Sequence, residues 1–467
     1  MPLNRRHFLK KISLTTVGLP LLSALGEGPS TSPPKRKPNI LFIFPDQWRA
    51  QAFSYRGDPN VRTPHLDRLA AEGTEFTRAY SNHPVCSPAR SMMMTGLYTH
   101  QNGFLGNNFY LEQDPRNLGY QLKDAGYQTG YIGKWHLDGP ERPGFVPPDR
   151  RQGWDDFHGF NRGHWYRLGD PEESRARYFS PSGELVFSET FEPILQTDLA
   201  IDFMKRATEP WALMVSYGPP HDPYTPPPSH QRHQPDDLQW RENVPRDLRS
   251  EPEATSIACG YYGLCELMDE QIGRLLQHLK DTGEAENTYV VFSSDHGDML
   301  ASHGRFQKLL PFEESASVPL IVRGPGIPKG HKESTPVSLL DLPVTLISLA
   351  GGKAPARMQG RDLTPAIRGE AITGSPVLLE GFLFDQNREW RSLVRDRYKL
   401  VLVAKEGHLV NALYDLQEDP YEMRNLYHDP AHQDLVRELT ALRAEIASRT
   451  GDPFPKPSTP APRNPPA

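Results

Sequence analysis

The sequence predicts an α/β fold in two parts: a large, mostly parallel sheet sandwiched by helices, then a small C-terminal antiparallel sheet packed with a helix. Three observations predict it. Apolar strand-like runs alternate with helical segments between Asn39 and Arg323, the order that builds a parallel sheet. The leading runs are continuously apolar rather than alternating, as in strands covered on both faces. Past about residue 370 the texture changes to closely spaced hairpin-like strands, which need only short turns.

Each element has its own signal. Asn39-Ile40-Leu41-Phe42-Ile43-Phe44 is the first strand. A helix follows with Thr63 as N-cap, Pro64 in its first turn, Leu66, Leu69 and Ala70 on one face, and a stop near Gly73. A helix is predicted from Asn117 to Ala125, a strand at Thr129–Gly133, a helix at Asp198–Arg206 and a strand at Trp211–Tyr217. A long helix is predicted from Glu251 to Asp281, then strands at Asn287–Ser293 and Pro319–Arg323. This gives a catalytic-sized domain over 39–370. The second part, 371–450, contains strands at Arg391–Arg395, Tyr398–Val403 and Asn411–Leu416 and a helix from Ala431 to Arg449. Gly451–Ala467 is proline-rich and predicted to be disordered.

The net charge of −6 over 467 residues argues against nucleic-acid binding, which needs a basic face. The 47 prolines are about twice the usual share, so long stiffened loops are expected. Asn4-Arg5-Arg6-His7-Phe8-Leu9-Lys10 resembles a twin-arginine export signal. The apolar run Ile12–Leu25, interrupted by Pro20, is too short to span a bilayer. Residues 1–26 are therefore expected to be a cleaved signal and 27–38 a linker. The mature body would carry −10 and no membrane anchor, in the periplasm or outside the cell. A basic amphipathic or disordered start is the plain alternative. Cys259 and Cys265 lie six residues apart on the predicted long helix, a rise of roughly 9 Å, beyond disulfide reach. They read as packed thiols, with no zinc spacing.

Polar residues gather where the strands end. The first strand delivers Asp46 and Gln47, the strand at Gly133 delivers Lys134 and His136, the strand at Tyr217 is followed by His221, and the strand at Ser293 delivers Asp295 and His296. Singly, each has an ordinary explanation: an Asp caps a turn, a histidine packs or hydrogen-bonds, and Lys308 is solvated. Ligands bind at the carboxyl ends of strands in open α/β sheets, and four strands aim chemistry-bearing groups at that one edge. Pro84-Val85-Cys86-Ser87-Pro88-Ala89-Arg90 precedes a helix nearby. Cys86 alone could be a buried structural thiol.

The pattern C-x-P-x-R at Cys86–Arg90 resembles the signature that marks a cysteine for conversion to Cα-formylglycine. With Asn39–Asp46, Thr63–Gly73, Cys86–Gly103, Gly133–Leu137, Pro219-Pro220-His221, Ser294–Gly297, Val318-Pro319-Leu320 and Leu413–Leu426, the chain resembles a type I sulfatase of the alkaline-phosphatase-like superfamily, from about Asn39 to Leu426. The resemblance implies a divalent metal, usually calcium, held by Asp46, Asp295, the Gln47 amide oxygen, His296 and the modified Cys86. Many relatives carry Asp-Asp where this chain has Asp46-Gln47, and His296 opens the site to another divalent ion. By the same resemblance Arg90 orients the aldehyde hydrate, Lys134 and Lys308 bind sulfate oxygens, His221 with Lys308 protonates the leaving oxygen, and His136 accepts the last proton. Relatives often place Gly before the lysine where this chain has Gln307, and Arg where it has Ser317; His303 could touch substrate or be structural. The implied partners are a formylglycine-generating or anaerobic sulfatase-maturing enzyme, the twin-arginine export machinery and a sulfate ester. The aromatic segment Gly153–Phe160 with His164-Trp165-Tyr166 would suit stacking on sugar rings, so a sulfated glycan is preferred over an aryl or alkyl sulfate; core packing is the alternative use of those rings. Two competing functions stay open: a phosphodiesterase or phosphonate monoester hydrolase using the same hydrate, and a non-catalytic glycan-binding protein on this scaffold.

Overall fold

In the computed structural model, residues 36–454 are described except 142–143, 164–175, 209, 384–387, 406 and 408. The expected export signal, most of the linker and the trio His164-Trp165-Tyr166 lie outside them. Residues from Lys37 onward belong to one compact unit without a break near 370.

Among the described residues a ten-stranded sheet forms the centre. Its middle strands lie in the order Thr288–Phe292, Asn39–Asp46, Trp211–Pro220, Gln128–Lys134 and Asp156–Phe160, all parallel. Antiparallel pairs flank this parallel centre. Ile321–Arg323 pairs antiparallel with Thr288–Phe292, and the hairpin Ala176–Phe179/Leu185–Ser188 closes the opposite edge.

Asn39–Asp46, Trp211–Pro220 and Thr288–Phe292 are buried throughout, and their unbroken apolar runs sort into two core layers. Ile40, Phe42 and Phe44 face the helices Cys86–Thr95, Leu118–Asp124 and Asp341–Leu349. Leu41 and Ile43 face Pro64–Glu72, Glu192–Arg206 and Pro252–Asp281. Each such side chain, fully buried, contributes about 1.5–3 kcal/mol. Cys259 and Cys265 are free thiols on the long helix.

The small sheet has the strands Val377–Leu383, Arg388–Arg395, Tyr398–Val403 and Ala412–Asp415 in that order, all antiparallel. Leu378, Leu393, Leu400 and Leu413 pack on Val436, Leu439 and Ile446 of the helix Gln433–Thr450, and on Met92 of the Cys86 helix. The other face, with Val377, Leu379 and Trp390, meets Tyr80 and Ala316 of the large domain.

Two expectations are corrected here. The tail does not begin at 451: Arg391 donates from Nε and Nη2 to the Asp452 carboxylate at 2.9 and 2.7 Å, both side chains fully buried, and Phe454 is buried under the Arg391 and Arg443 guanidiniums. An ion pair and two guanidinium-over-ring contacts hold these residues in place. The second concerns the aromatic segment at 153–160, which packs inward. Trp154, Phe157 and Phe160 are buried, and Phe157 stacks on Tyr131 at 5.4 Å and meets Trp135 edge-on at 5.5 Å. Those rings are core, not a sugar platform.

Candidate active site

Four neighbouring parallel strands bring their carboxyl ends together, and each presents one part of the site. Asp46 closes the first strand, Lys134 closes Gln128–Lys134, His221 follows Trp211–Pro220, and Asp295-His296 follow Thr288–Phe292 by a short turn. Local hydrogen bonds lock the two acidic loops together. The Gln47 amide donates to Asp295 Oδ1 at 3.0 Å and the Trp48 amide to Ser294 Oγ at 2.9 Å, while Ser294 Oγ donates to the Pro45 carbonyl at 3.0 Å. Gly133 sits at φ +100°, and a Cβ there would lie 2.0 Å from the Ser216 carbonyl oxygen; only glycine lets this strand end close on its neighbour and aim Lys134.

Cys86 begins a fully buried helix whose first turn points into this edge, where the helix N-terminus favours an anion. Its Sγ lies 3.6 Å from Asp46 Oδ1, 3.3 Å from His296 Nε2 and 3.1 Å from Lys308 Nζ. Ligand atoms of Asp46, Cys86, Asp295 and His296 all fall within 4.8 Å of one another. His296 is steered by its other nitrogen, Nδ1, which meets the Gly297 carbonyl at 2.9 Å. Arg90, 1 % exposed, spans both acids: Nε donates to Asp295 Oδ2 and Nη2 to Asp46 Oδ2, each at 3.0 Å. Its Nη1 donates to the Lys134 carbonyl at 2.7 Å and to Ser216 Oγ at 2.6 Å. Lys134 Nζ donates to Asp46 Oδ2. Lys308 Nζ also donates to His221 Nε2 at 2.7 Å and to Gln47 Oε1 at 2.8 Å.

Charge balance sets the protonation states. Burial and the nearby Cys86 oppose ionisation of Asp46, but Lys134, His221 and Arg90 together hold its carboxyl well below the usual range. Burial likewise works against the Cys86 thiolate, yet Lys134, Lys308 and His296 bring that thiol well below its ordinary value. Asp295 is pushed up by burial and by Asp46 beside it. Burial and then Lys134 push His136 down to about 3, so its imidazole is neutral. Lys308 stays protonated: burial lowers it, but Cys86 and Asp46 raise it further.

All ten sequence-predicted site residues therefore occupy one edge of the sheet, though not all with the expected contacts. Arg90 reaches the site through Asp46 and Asp295, not through a hydrogen bond to Cys86 Sγ. Gln307, where a glycine was the family expectation, adopts φ 61°, the left-handed region glycine favours. His303 stacks on Phe312 at 4.0 Å and its backbone amide donates to the Asn243 carbonyl at 2.8 Å, a packing role. Three participants escaped the sequence reading. Ser216 lies inside a strand that reads as pure core. Tyr224 and Asp298 grip the Gln47 amide, and the only hint was an acid two residues after His296.

Comparison with known proteins places the chain in a family. A family model described as Sulfatase matches residues 38–352, and one described as N-sulphoglucosamine sulphohydrolase, C-terminal, matches residues 301–448. The chain is 34 % identical over 439 residues to an ulvan-active sulfatase of Formosa agariphila, covering 90 % of this chain and 82 % of that protein. It is 30 % identical over 482 residues to an endo-4-O-sulfatase of Bacteroides thetaiotaomicron, covering 89 % and 93 %. The crystal structure of the candidate sulfatase yidJ from Bacteroides fragilis superposes with a TM-score of 0.82 at 29 % identity, covering 91 % of this chain and 99 % of that one.

Proposed function

The chain belongs to the sulfatase family and is a sulfuric ester hydrolase, and from that premise we propose that it desulfates a sulfated glycan, with Cys86 matured to Cα-formylglycine beside a divalent ion. The observation that carries the reading is the enclosure of Cys86 Sγ by Asp46, His296 and Lys308 at 3.6, 3.3 and 3.1 Å. An aldehyde at this position, once hydrated, would attack sulfur with one hydroxyl and displace the alcohol; the second hydroxyl, on losing its proton, would then expel the sulfate held on the first and restore the aldehyde, which a thiol cannot do.

The donor set fits a divalent ion. Two buried carboxylates and an amide oxygen suit calcium, and the His296 imidazole admits a first-row transition ion in its place. Asp46, Gln47, Asp295, His296 and residue 86 would hold it, and when bound it would polarise a sulfate oxygen and favour the ionised nucleophile. The remaining work belongs to the chain. Arg90 fixes both acids in place. Lys134 and Lys308 place cations where negative charge builds in the transition state. His221 accepts from Lys308 at Nε2 and lies 2.8 Å from the Asp222 carbonyl at Nδ1, so the pair can pass a proton to the leaving oxygen. His136, neutral beside Cys86, is free to take the proton from the remaining hydroxyl.

The glycan assignment draws on the relatives named for ulvan and for endo-4-O-sulfate action, since the rings at 153–160 are core. Twin-arginine export through Asn4–Lys10 would bring the enzyme to a polymer outside the cytoplasm. The decisive experiment is mass spectrometry of the peptide around Cys86 from a host with the maturation enzyme, paired with sulfate release from a glycan panel read by ion chromatography. The aldehyde and free sulfate are expected together. Cys86→Ala should abolish turnover and Cys86→Ser should leave a trace; full activity in either ends the formylglycine reading.

A further inference from the structure

Gln47 is held in a triangle that leaves its amide one orientation. Nε2 donates to Asp298 Oδ2 at 2.6 Å and to the Tyr224 hydroxyl at 3.0 Å, while that hydroxyl donates to the same Asp298 oxygen at 2.7 Å. Every proton in the triangle has one acceptor: two from the amide and one from the phenol. Asp298 is fully buried, and its other oxygen accepts the Leu300 amide at 2.8 Å, so the carboxylate cannot turn away. On the far side of the amide, Oε1 accepts from Lys308 Nζ at 2.8 Å. Rotating the amide would set oxygen against a carboxylate at 2.6 Å and an NH2 group against an ammonium. Both ends forbid it.

We infer that Asp298, assisted by Tyr224, is a positioning residue that turns the oxygen of Gln47 toward the Asp46/Asp295/His296 cluster and dictates an amide, not an acid, at position 47. The inference rests on the metal site proposed above. A carboxylate at 47 has no proton to give, so it would set acceptor against acceptor at the distance where the Gln47 amide now donates to Asp298 Oδ2, 2.6 Å. Removing such a support for a metal ligand typically costs 10–100-fold in metal affinity.

The test is isothermal titration of Ca2+ and of Mn2+ into the full chain after chelation, for wild type, Asp298→Asn, Gln47→Glu and the double variant Gln47→Glu/Asp298→Asn. Both single variants should bind about 10–100-fold more weakly. The double variant should recover, because the amide introduced at position 298 donates to the new carboxylate. Recovery by a second substitution is something a general packing defect does not produce. Crystal structures of the same four proteins give a readout free of metal: in Asp298→Asn the Gln47 side chain should lose its single orientation. If Gln47→Glu binds as tightly as wild type, or the double variant no better than Gln47→Glu, the positioning role is overturned while the metal site stands. If wild type binds neither ion, both fall.

Discussion

Replacing Arg90 tests how the site is held together. Its guanidinium makes four hydrogen bonds, two of them to Asp295 and Asp46 at 3.0 Å, and lies over the Phe44 ring at 5.0 Å from the centroid. Arg90→Met keeps the volume but strips both carboxylates of this partner. Breaking a buried pair by removing one member costs about 3–5 kcal/mol. Lys134 remains on Asp46 and supplies partial relief, so the lower half of that range is expected, against a total stability of about 5–15 kcal/mol. Arg90→Lys keeps the charge, but one ammonium cannot span two carboxylates, a carbonyl and a hydroxyl. Losing one or two charge-assisted bonds should cost about 2–3 kcal/mol. Urea denaturation in the presence of chelator reads both values from the midpoint at unchanged slope. Turnover of para-nitrophenyl sulfate should fall at least about 100-fold in Arg90→Lys, as expected when an electrostatic clamp on the reacting centre is displaced. A midpoint for Arg90→Met equivalent to less than about 1 kcal/mol, the ordinary effect of an arbitrary substitution, would refute the clamp.

Three further outcomes follow. Burial pushes Glu422 up to about 8, with Glu313 and Glu314 adding to the rise and Lys399 opposing it. The folded state therefore keeps a proton that the unfolded chain releases near 4.3, so stability is full below that value and falls as pH rises through about 8; Glu422→Gln should flatten the decline in melting temperature between pH 5 and pH 9, and an unchanged slope counts against it. Asp452→Ala orphans Arg391 in a fully buried pair and should cost about 3–5 kcal/mol by urea melt, whereas a freely moving tail would give no change. Lys308→Ala should leave the circular dichroism spectrum intact and lower kcat about 100- to 10,000-fold, the usual range for a proton-transfer group; a loss under tenfold removes Lys308 from the reaction.

Legibility from sequence tracked whether a feature was local. Ile40–Phe44, Trp211–Val215 and Val290–Phe292 read as strands because burial on both faces leaves no polar interruption. Val377–Leu383 escaped because Glu380 sits in its middle, buried only because Thr99 and His100 hydrogen-bond it from 281 and 280 residues away. Strands of two or three residues, such as Ala79–Tyr80 and Val337–Ser338, exist through pairing alone and carry no pattern. The helix Glu192–Arg206 starts six residues before the predicted Asp198, and Pro193 in its first turn was the unused start signal. Site residues were visible where a strand end placed them. Asp298 was not, because its grip on Gln47 spans 251 residues and only strand order brings the loops together.

The small sheet has a stake in the chemistry, and the backbone around Lys308 shows why. Leu300, Ala301, His303, Gln307 and Leu309 all have positive φ, from 42° to 78°. Each costs on the order of 1–2 kcal/mol in an L-residue, so the segment would relax unless outside contacts fix it. Those contacts come from both sides. Asp298 takes the Leu300 amide, and the Pro84 carbonyl takes the Leu309 amide at 3.1 Å. From the small sheet, Trp390 Nε1 donates to the Leu309 carbonyl at 3.2 Å and Lys399 Nζ to the Pro311 carbonyl at 2.8 Å. Lys308 thus reaches Cys86 and His221 on a strained loop whose next residues are pinned by the C-terminal strands. The small sheet steadies the loop that carries this ammonium, and both sheets lie in one compact unit.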